Sequence, residues 1–261
     1  MGGFDSQERK GADGAPFAYN ARAMAQLRSS AGGARRRGIR LRSARPYGGQ
    51  SVKERLAQRR ARLLDAGLAL FGTQGYASTS IELVCSKAGV TARHFYEQFE
   101  SREALLLEVY EMVIERARKA VITALHQSHP TPRHRVRSGL EAYVHAVLDD
   151  PRYARIACVE VVGASARVER RRRKTIYEIA SVIESQAQAL AEQGRVARRD
   201  FSLTAIAMAG ACNELVTDAI MRPTPPLTSA LVDALVRLFL AVIADARPAL
   251  PPQRRRRKGE G

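Results

Sequence analysis

Apolar residues recur at helical spacing along most of this chain, and glycines and prolines divide the helices that the pattern predicts. In the first clear helix the apolar positions follow one another at three-, four- and seven-residue steps and form one stripe: Leu56, Leu63, Leu64, Leu68 and Phe71. Gly72 and Gly75 end this helix, because glycine supplies the left-handed conformation that closes a helix.

A second helix begins behind Thr79 or Ser80, since either side chain can accept hydrogen bonds from free backbone N–H groups as an N-cap. We expect Gly89 to close this helix in the left-handed conformation. The positions expected to be buried are Ile81, Val84, Cys85 and Ala88.

A third, short helix follows the turn at Gly89 and begins at Thr91, whose hydroxyl can cap it. Phe95 and Phe99 form its inner face. Helix, glycine turn and helix at this spacing, over about residues 80–99, is the plan of a helix-turn-helix motif. The second helix of such a motif enters the DNA major groove.

The rest of the chain is also periodic at helical spacing, and no segment shows the alternation typical of a strand or hairpin. Ser101 is the expected cap of a long helix that Pro130 and Pro132 terminate. The further helices are predicted at about 101–126, 136–148, 153–163, 168–193, 201–221 and 227–246. The fold class is therefore all-α, with an N-terminal three-helix unit at 51–100 and a larger helical bundle at 101–247.

The two ends of the chain, residues 1–50 and 248–261, differ from the helical part in composition and charge. They carry most of the formal net charge of +17, and large apolar residues are scarce in them. Both are therefore predicted to be disordered basic segments. The arginines between Arg35 and Arg45 either attract DNA weakly as a solvated tail or enter a minor groove as an arm, and Arg254–Lys258 is interpreted likewise. Met24 is an alternative start, which would remove residues 1–23.

Cysteine use and hydropathy favour a soluble cytoplasmic protein with no membrane partner. Cys85, Cys158 and Cys212 all lie in apolar helical surroundings, which suits a reducing compartment. Cys85 is either a redox switch or a core residue, and burial, which suppresses the thiolate, favours the core. No stretch approaches eighteen uninterrupted apolar residues. The opening Met1–Ser6 fits the loose myristoylation pattern, which is common by accident.

No catalytic residue, cofactor or metal is predicted. The chain lacks a P-loop, a dinucleotide fingerprint, a Gly-x-Ser-x-Gly elbow and a His-Glu-x-x-His pair, so an enzyme is not expected. His126, His129 and His134 surround a proline-rich loop and would be a candidate metal site. No carboxylate or cysteine lies near them in sequence, which favours a solvated loop.

The helix-turn-helix and its flanks resemble the DNA-binding domain of the tetracycline-repressor (TetR/AcrR-like) family of transcription regulators. The resemblance covers about a fifth of the chain. The matching residues keep their order and spacing: Leu64-Asp65-Ala66, Leu70-Phe71, Gly75-Tyr76, Thr79-Ser80, Ala88-Gly89-Val90-Thr91, Phe95-Tyr96, Phe99 and Ser101-Arg102-Glu103-Ala104-Leu105. It implies a bacterial, cytoplasmic regulator that binds a double-stranded DNA operator, with a C-terminal bundle for ligand binding and dimerisation.

The family motif also implies which residues contact DNA. Thr91, Ala92 and Arg93 start the recognition helix and face the groove, and Tyr96 reaches a phosphate or a thymine methyl. Relatives usually have a small residue at the position of Arg93, and its guanidinium pairs either with guanine O6 and N7 or with a phosphate. Gln98 either bonds to the DNA backbone or is solvated. Further DNA contacts are expected from Lys53, Arg55, Thr79, Ser80 and Arg102.

The resemblance implies a homodimer in which the last two helices of each protomer pack together. The sequence agrees independently, because small residues that allow close helix approach lie beside a broad apolar stripe. The small-residue surface is Ala205, Ala207, Met208, Ala209, Gly210, Ala211 and Cys212, and the stripe is Leu231, Leu235, Leu238, Val242 and Ile243. The alternative is an ordinary monomer core. A two-fold dimer predicts a near-palindromic operator.

The resemblance further implies a cavity among the middle helices for an unknown small-molecule effector. The candidate polar groups in otherwise apolar faces are Tyr143, His145, Glu160, Asn213 and Glu214. Each is alternatively a satisfied core or interface group. Glu160 is the sharpest candidate, because a buried carboxylate is costly without a partner. That partner is either a ligand or a protein side chain such as Arg152 or Arg155.

Two functions remain open at this point. In the first, the protein is a repressor that a small hydrophobic effector releases from its operator. In the second, it is an architectural or constitutive DNA-binding factor whose bundle only dimerises. A salt titration separates the two, because the second predicts little difference in affinity between specific and random DNA. Activation and repression are not distinguished by sequence, since the outcome depends on where the operator lies.

Overall fold

The computed structural model of the chain describes residues 51–128 and 131–244, and within these ranges every regular element is helical. The predicted all-α class is confirmed. The expectations for residues 1–50, 129–130 and 245–261 lie outside the described residues. The helices are α1 (Val52–Phe71), α2 (Ile81–Ala88), α3 (Ala92–Tyr96), α4 (Arg102–Gln127), α5 (Pro132–Leu148), α6 (Pro151–Arg155), a π-helical segment (Ile156–Glu160), α7 (Ala166–Glu192), α8 (Ser202–Met221) and α9 (Thr228–Ala244).

Serine and threonine side chains start most of these helices, as the sequence predicts. Thr91 caps α3 and Ser101 caps α4, each accepting from the backbone N–H three residues further on. At α2 the cap is Ser80, which accepts from the Leu83 N–H. Each cap satisfies a donor that the helix itself leaves free, so the short helices α2 and α3 begin at fixed residues.

Glycines close α1 and α2 in two different ways. Gly89 follows α2 with φ of 61° and ψ of 43°, the predicted left-handed cap. Gly72 follows α1 with φ of −75°, so the expectation of a left-handed residue there was wrong. The left-handed residue of that turn is Gly75, with φ of 92°. Its conformation is one that residues with a Cβ rarely adopt.

The π-helical segment was not predicted, because the sequence IACVEVVG carries no proline, internal glycine or charge pattern that marks a change of helix type. The sequence instead predicted one short helix over 153–163. The observed segment continues directly from α6, and its neighbours in space include α1, α4 and α8. A π turn inside an α-helix is uncommon and is frequently found at functional sites.

One hydrophobic core joins the helix-turn-helix to the helices that follow it. Leu63 and Phe71 of α1 and Phe95 of α3 pack in the same cluster as Leu105 and Val109 of α4. The cluster continues into the π-helical segment and the start of α7 through Ile156, Val161 and Val168. The described residues therefore form one compact unit, and the proposed domain limits of 51–100 and 101–247 stay a prediction.

A second core lies between α5, α8 and α9, and it corrects part of the predicted dimer surface. On α8, four residues of the small-residue surface point into the protomer's own interior: Ala205, Met208, Ala209 and Cys212. On α9, Leu231, Leu235 and Ile243 are likewise buried. Leu238 is 39% exposed, Ala207 and Gly210 of α8 are exposed, and Ala211 is half-buried. The apolar stripe thus serves mainly to hold α8 and α9 onto α5.

Within the described ranges, α8 (Ser202–Met221) is the one helix long and apolar enough to span a membrane, judged by length and composition. About a third of this stretch, 33%, is buried inside the protein. Because α8 packs against α6, α7 and α9, it fits the description of a core helix of a helical bundle, and core helices pass the same test.

Candidate nucleic-acid interface

The start of α3 is an exposed tip on a buried base. Thr91, Ala92 and Arg93 are exposed, as predicted for residues that face a groove. The Arg93 side chain is 88% exposed, and its Nε lies 3.3 Å from Oε1 of Glu97 one turn further on. Such an exposed pair contributes little to stability. The Arg93 guanidinium can therefore exchange this partner for DNA at little cost.

Two adjacent aromatic residues of α3 differ in burial: one packs in the core and the other is exposed to solvent. Phe95 is fully buried, and its ring lies 5.8 Å from that of Phe99, measured between centroids. Tyr96 is 58% exposed and contacts Phe95 edge-on, with centroids 5.4 Å apart. Phe95 thus anchors the recognition helix, and Tyr96 presents a hydroxyl and a ring face to solvent, where the family motif expects a DNA contact.

The turn before α3 fixes its direction. The Val90 N–H donates to the Cys85 carbonyl at 3.0 Å, which closes α2 through the left-handed Gly89. Thr91 Oγ1 lies 3.0 Å from Nδ1 of His94. Cys85 is buried, and burial raises the pKa of its thiol. A raised pKa leaves less of the reactive thiolate, in agreement with a packing role for this cysteine.

Some of the predicted phosphate contacts are exposed side chains, and others are already bonded within the protein. Lys53 and Arg55, in the first turn of α1, are exposed and have no ion pair within the described residues. Ser80 is exposed, and its hydroxyl accepts from the Leu83 N–H at 3.2 Å. Gln98 is half-buried and lines a groove between the end of α3 and α4. These four positions remain candidates for DNA contacts.

Two other predicted contacts need correction. Thr79 is fully buried; its hydroxyl donates to the Gly75 carbonyl at 2.7 Å and its N–H donates to the Tyr76 carbonyl at 3.2 Å. Neither group is left for a phosphate. Arg102 turns towards the same loop, where its Nη1 donates to the Thr79 carbonyl at 2.5 Å and its guanidinium lies 4.4 Å from the centre of the Tyr76 ring. Both residues hold the loop between α1 and α2.

Glu160 also holds this loop, and its assignment to a ligand site was wrong. Its Oε2 accepts from the Tyr76 N–H at 2.6 Å, and its Oε1 accepts from Nε of Arg155 at 2.8 Å. The side chain is only 10% exposed. Its partners are protein groups, one of which, Arg155, is among the two that the sequence suggested. A Cβ on Gly75 would lie 3.3 Å from Glu160 Oε2, so the contact also depends on this glycine.

Sequence reasoning missed a set of ion pairs that ties α7 to α4 and to the residue that follows the helix-turn-helix. Arg167 pairs with Glu100, the residue after Phe99, and Nη2 of Arg171 donates to Glu111 Oε2 of α4 at 2.7 Å while its Nε contacts Oε1. The partners lie 60 or more residues apart in the chain. In the sequence, the run RRRRK at 170–174 indicates only an outward-facing charge pattern, because its partners become visible once α4 and α7 are brought together.

The other predicted ligand-site residues are not gathered in one place. His145 and Glu214 are exposed, and His145 Nδ1 pairs with Asp149 Oδ1 at 2.9 Å, so neither lines an interior site. Asn213 is half-buried on α8. Tyr143 lies between two core clusters, and burial raises the pKa of its phenol well above the usual value.

Near Tyr143, two buried thiols pack in the core clusters of the bundle. Burial raises the pKa of Cys158 and that of Cys212 to about 12 each. Cys158 belongs to the π-helical segment and Cys212 to α8, so the two helices present neutral, polarisable groups to the same apolar region.

The described part of the chain contains no group of three or more histidine, cysteine or acidic side chains placed to hold a metal ion. His126 is exposed at the end of α4, and Nδ1 of His134 lies 2.5 Å from the Thr131 hydroxyl at the start of α5. The third histidine of the candidate cluster, His129, lies outside the described residues.

Comparison with known proteins places this geometry in a family. Residues 63–109 match the family model described as bacterial regulatory proteins, tetR family. The matched range contains α2, the Gly89 turn, α3 and its buried anchor Phe95. This part of the chain is a tetR-family DNA-binding domain. The predicted family is thereby confirmed on the residues that suggested it.

Curated proteins similar to this chain are transcriptional regulators. Over 110 residues it is 28% identical to the HTH-type transcriptional regulator EthR of Mycolicibacterium smegmatis, covering 42% of this chain and 51% of EthR. Over 111 residues it is 30% identical to the HTH-type transcriptional activator FasR of the same organism, covering 41% and 49%. The chain thus spans about half the length of these curated relatives.

A solved structure extends the similarity of fold to the bundle. The transcriptional regulator FadR from Bacillus subtilis, in complex with stearoyl-CoA, superposes with a TM-score of 0.64 at 14% identity. The superposition covers 69% of this chain and 97% of FadR. At this identity the likeness concerns the fold alone, an N-terminal helix-turn-helix followed by a helical bundle.

Proposed function

We propose that this protein is a homodimeric transcriptional repressor that binds a near-palindromic DNA operator and is released by a small hydrophobic effector. The observation that carries the proposal is the exposed tip Thr91–Ala92–Arg93 on a recognition helix whose base, Phe95, is fully buried. A rigid, exposed helix start is what reading base edges in a major groove requires. The protein acts in the cytoplasm, without catalysis and without a membrane partner.

Exposed apolar residues on the last two helices support the homodimer. Leu203 at the start of α8 is 80% exposed and Met221 at its end is 68% exposed. Gly210, between them, is also exposed and leaves room for a close helix approach. Leu238 of α9 adds a further apolar group. Exposed apolar surface of this kind marks an interaction site, and a two-fold axis through it would present two recognition helices to one operator.

The interior around Tyr143, Cys158 and Cys212 supports an apolar effector. FadR, which shares the fold, is named as a complex with stearoyl-CoA, and a fatty-acyl chain is a ligand of the kind that this lining would accept. The π-helical segment offers the route to DNA. Cys158 is buried in the interior, and two residues later Glu160 holds the Tyr76 N–H of the helix-turn-helix. Movement of this segment would change the position of the DNA-binding loop.

Activation is the second candidate outcome, and the name of one relative favours it. FasR is described as a transcriptional activator. The same recognition helix serves either outcome, because the position of the operator relative to the promoter decides the sign of regulation.

We expect Arg93→Ala and Tyr96→Ala to remove sequence-specific binding or to relax it at one base position. Selection of bound sequences from random DNA gives the operator. The affinity of each variant for operators with single-base changes then gives its base-preference profile. A bidentate Arg93–guanine pair predicts a loss of about 1–3 kcal/mol of discrimination at one position. A phosphate contact predicts a uniform loss across sequences.

Arg198→Ala is the matched control, because Arg198 is exposed and lies beyond the far end of α7, which begins beside the helix-turn-helix. Its affinity and base profile should equal those of the wild type. Sizing should show the dimer in all three variants. An unchanged base profile in both Arg93→Ala and Tyr96→Ala would contradict the assignment of α3 as the recognition helix.

A further inference from the structure

A groove beside the recognition helix contains two arginines that form no ion pair with any described residue. It lies between α1, the Gly89 turn and the start of α3, with a volume of about 440 Å³. We call it the α1–α3 groove; its polar lining comprises Arg59, Arg62, Ser86, Thr91 and His94. Arg62 is exposed and Arg59 is half-buried. Two cations in one groove, without acids to neutralise them, favour an anionic occupant.

The arginine between them in the sequence is paired, so the unneutralised charge belongs to the groove side of α1. Arg60 pairs with Glu108 at 3.1 Å, and its guanidinium lies 4.7 Å from the centre of the Phe99 ring. Arg59 and Arg62 are three residues apart and so share one face of α1. Arg62 Nη1 lies 3.6 Å from the position that a Cβ on Gly89 would take. The guanidinium therefore lies over the turn that precedes the recognition helix.

We propose that the α1–α3 groove binds phosphate groups of the DNA backbone through Arg59 and Arg62. The proposal rests on the proposed function, since it places the phosphates beside the base edges that α3 reads. Arg55, Arg59 and Arg62 follow one another at four- and three-residue steps, so they form one row of cations on α1. Arginine is suited to this contact, because its fork of donors matches a phosphate bidentately.

The length of α2 indicates where the α1–α3 groove of the protein would lie on the DNA. Ser80 precedes α2 and Gly89 follows it, so the eight residues between them separate the two ends by about 12 Å. The major groove of B-DNA is also about 12 Å wide. If α3 enters the major groove and α2 lies across it, the hydroxyl of Ser80 would approach the phosphates of one wall of the major groove. Arg59 and Arg62, which lie beside Gly89 at the other end of α2, would approach the phosphates of the opposite wall.

The test compares the double variant Arg59→Gln/Arg62→Gln with Arg195→Gln/Arg198→Gln, which removes the same charge from two arginines after α7. Affinity is measured for the selected operator and for random duplex DNA between about 50 and 300 mM salt. Near 0.15 M salt we expect about fivefold weaker binding for each phosphate neutralisation that the variant removes, on both DNAs, with the ratio of the two affinities unchanged. The slope of log K against log salt should become shallower by about 0.9 per phosphate.

Methylphosphonate substitution of single operator phosphates locates the contact. Wild-type protein should bind more weakly at one or two neutralised phosphates where the double variant binds as before. The same profile in both proteins would overturn the proposal. Inorganic phosphate added at constant ionic strength should leave the affinity unchanged. A decrease in the wild type that the double variant does not show would mean that inorganic phosphate competes with DNA for the groove, which would still support a contact between the groove and the DNA backbone.

The outcomes distinguish this proposal from the function on which it rests. A wild-type protein without sequence preference would overturn both. If the wild type prefers one operator and the double variant binds it with the same affinity and salt slope, only the proposal of a phosphate site in the α1–α3 groove is overturned. If the double variant does not fold by circular dichroism, Arg62→Gln at the more exposed position carries the same test, with Arg198→Gln as its control.

Discussion

Phe95→Ala should lower the free energy of unfolding by about 3–5 kcal/mol, because a fully buried phenyl ring is replaced by a methyl group in a packed core. The cavity would open between α1, α3 and α4, the helices that share this core. We expect α3 to lose its fixed position, and DNA binding to fail with it. Urea unfolding followed by circular dichroism measures the stability, and gel shift measures binding.

Tyr96→Ala is the control for this prediction, since the two rings are neighbours in the chain and differ in burial. Truncation of the exposed Tyr96 should change the free energy of unfolding by less than about 1 kcal/mol while still weakening DNA binding. Equal decreases in stability in the two variants would show that α3 is not seated through Phe95.

Glu160→Ala should lower the free energy of unfolding by about 2–3 kcal/mol. The substitution leaves the Tyr76 N–H without its charged acceptor and Arg155 without its partner. It should also release the loop between α1 and α2, so the Tyr76 amide should exchange its hydrogen faster than in the wild type. Urea unfolding and hydrogen exchange followed by mass spectrometry over residues 72–80 measure the two effects.

Glu160→Gln and Glu108→Ala are the controls for the Glu160→Ala prediction. The glutamine keeps a neutral acceptor for the Tyr76 N–H, so its effect on stability should be smaller than that of the alanine variant. Glu108 forms an exposed pair with Arg60, and its removal should cost about 0–1 kcal/mol. Unchanged exchange at Tyr76 in Glu160→Ala would show that this carboxylate does not hold the loop.

Local signals explain why the helix-turn-helix was predictable from sequence. Ser80, Thr91 and Ser101 are caps that act within three residues, and Gly89 closes its helix by its own backbone freedom. The buried position of Phe95 follows from helical spacing. Each of these inferences depends on neighbours in the chain, which a sequence displays directly.

The parts that were wrong depend on contacts between distant segments. Glu160 and Tyr76 are 84 residues apart, and Arg102 reaches back 23 residues to the Thr79 carbonyl. In the sequence, Thr79 and Arg102 resemble surface residues that could contact phosphates, and Glu160 resembles an orphan carboxylate. Arg59 and Arg62 were not singled out, because nothing in the sequence distinguishes them from the paired Arg60.

The dimer surface shows a related limit. An apolar stripe on a helix predicts that another helix packs against it. The stripe does not show whether that helix belongs to the same protomer or to a partner. On α9 the cover of Leu231 and Leu235 is α5 and α8 of the same chain. Leu203 and Met221 can be recognised as a separate exposed surface only once the packing of the other faces of α8 within the protomer is known.

The pairing of Arg155 with Glu160 makes the type of helix between them a determinant of where the DNA-binding loop is held. Residues five apart in an α-helix point about 140° away from each other around the axis. In a π turn, whose hydrogen bonds span five residues, the same two positions lie much closer to one face of the helix. An occupant of the bundle that tightened Ile156–Glu160 by a single residue per turn would swing the carboxylate off both Arg155 and the Tyr76 amide. Winding of one helical turn would then act as the trigger, with no need for a rigid shift of the whole domain.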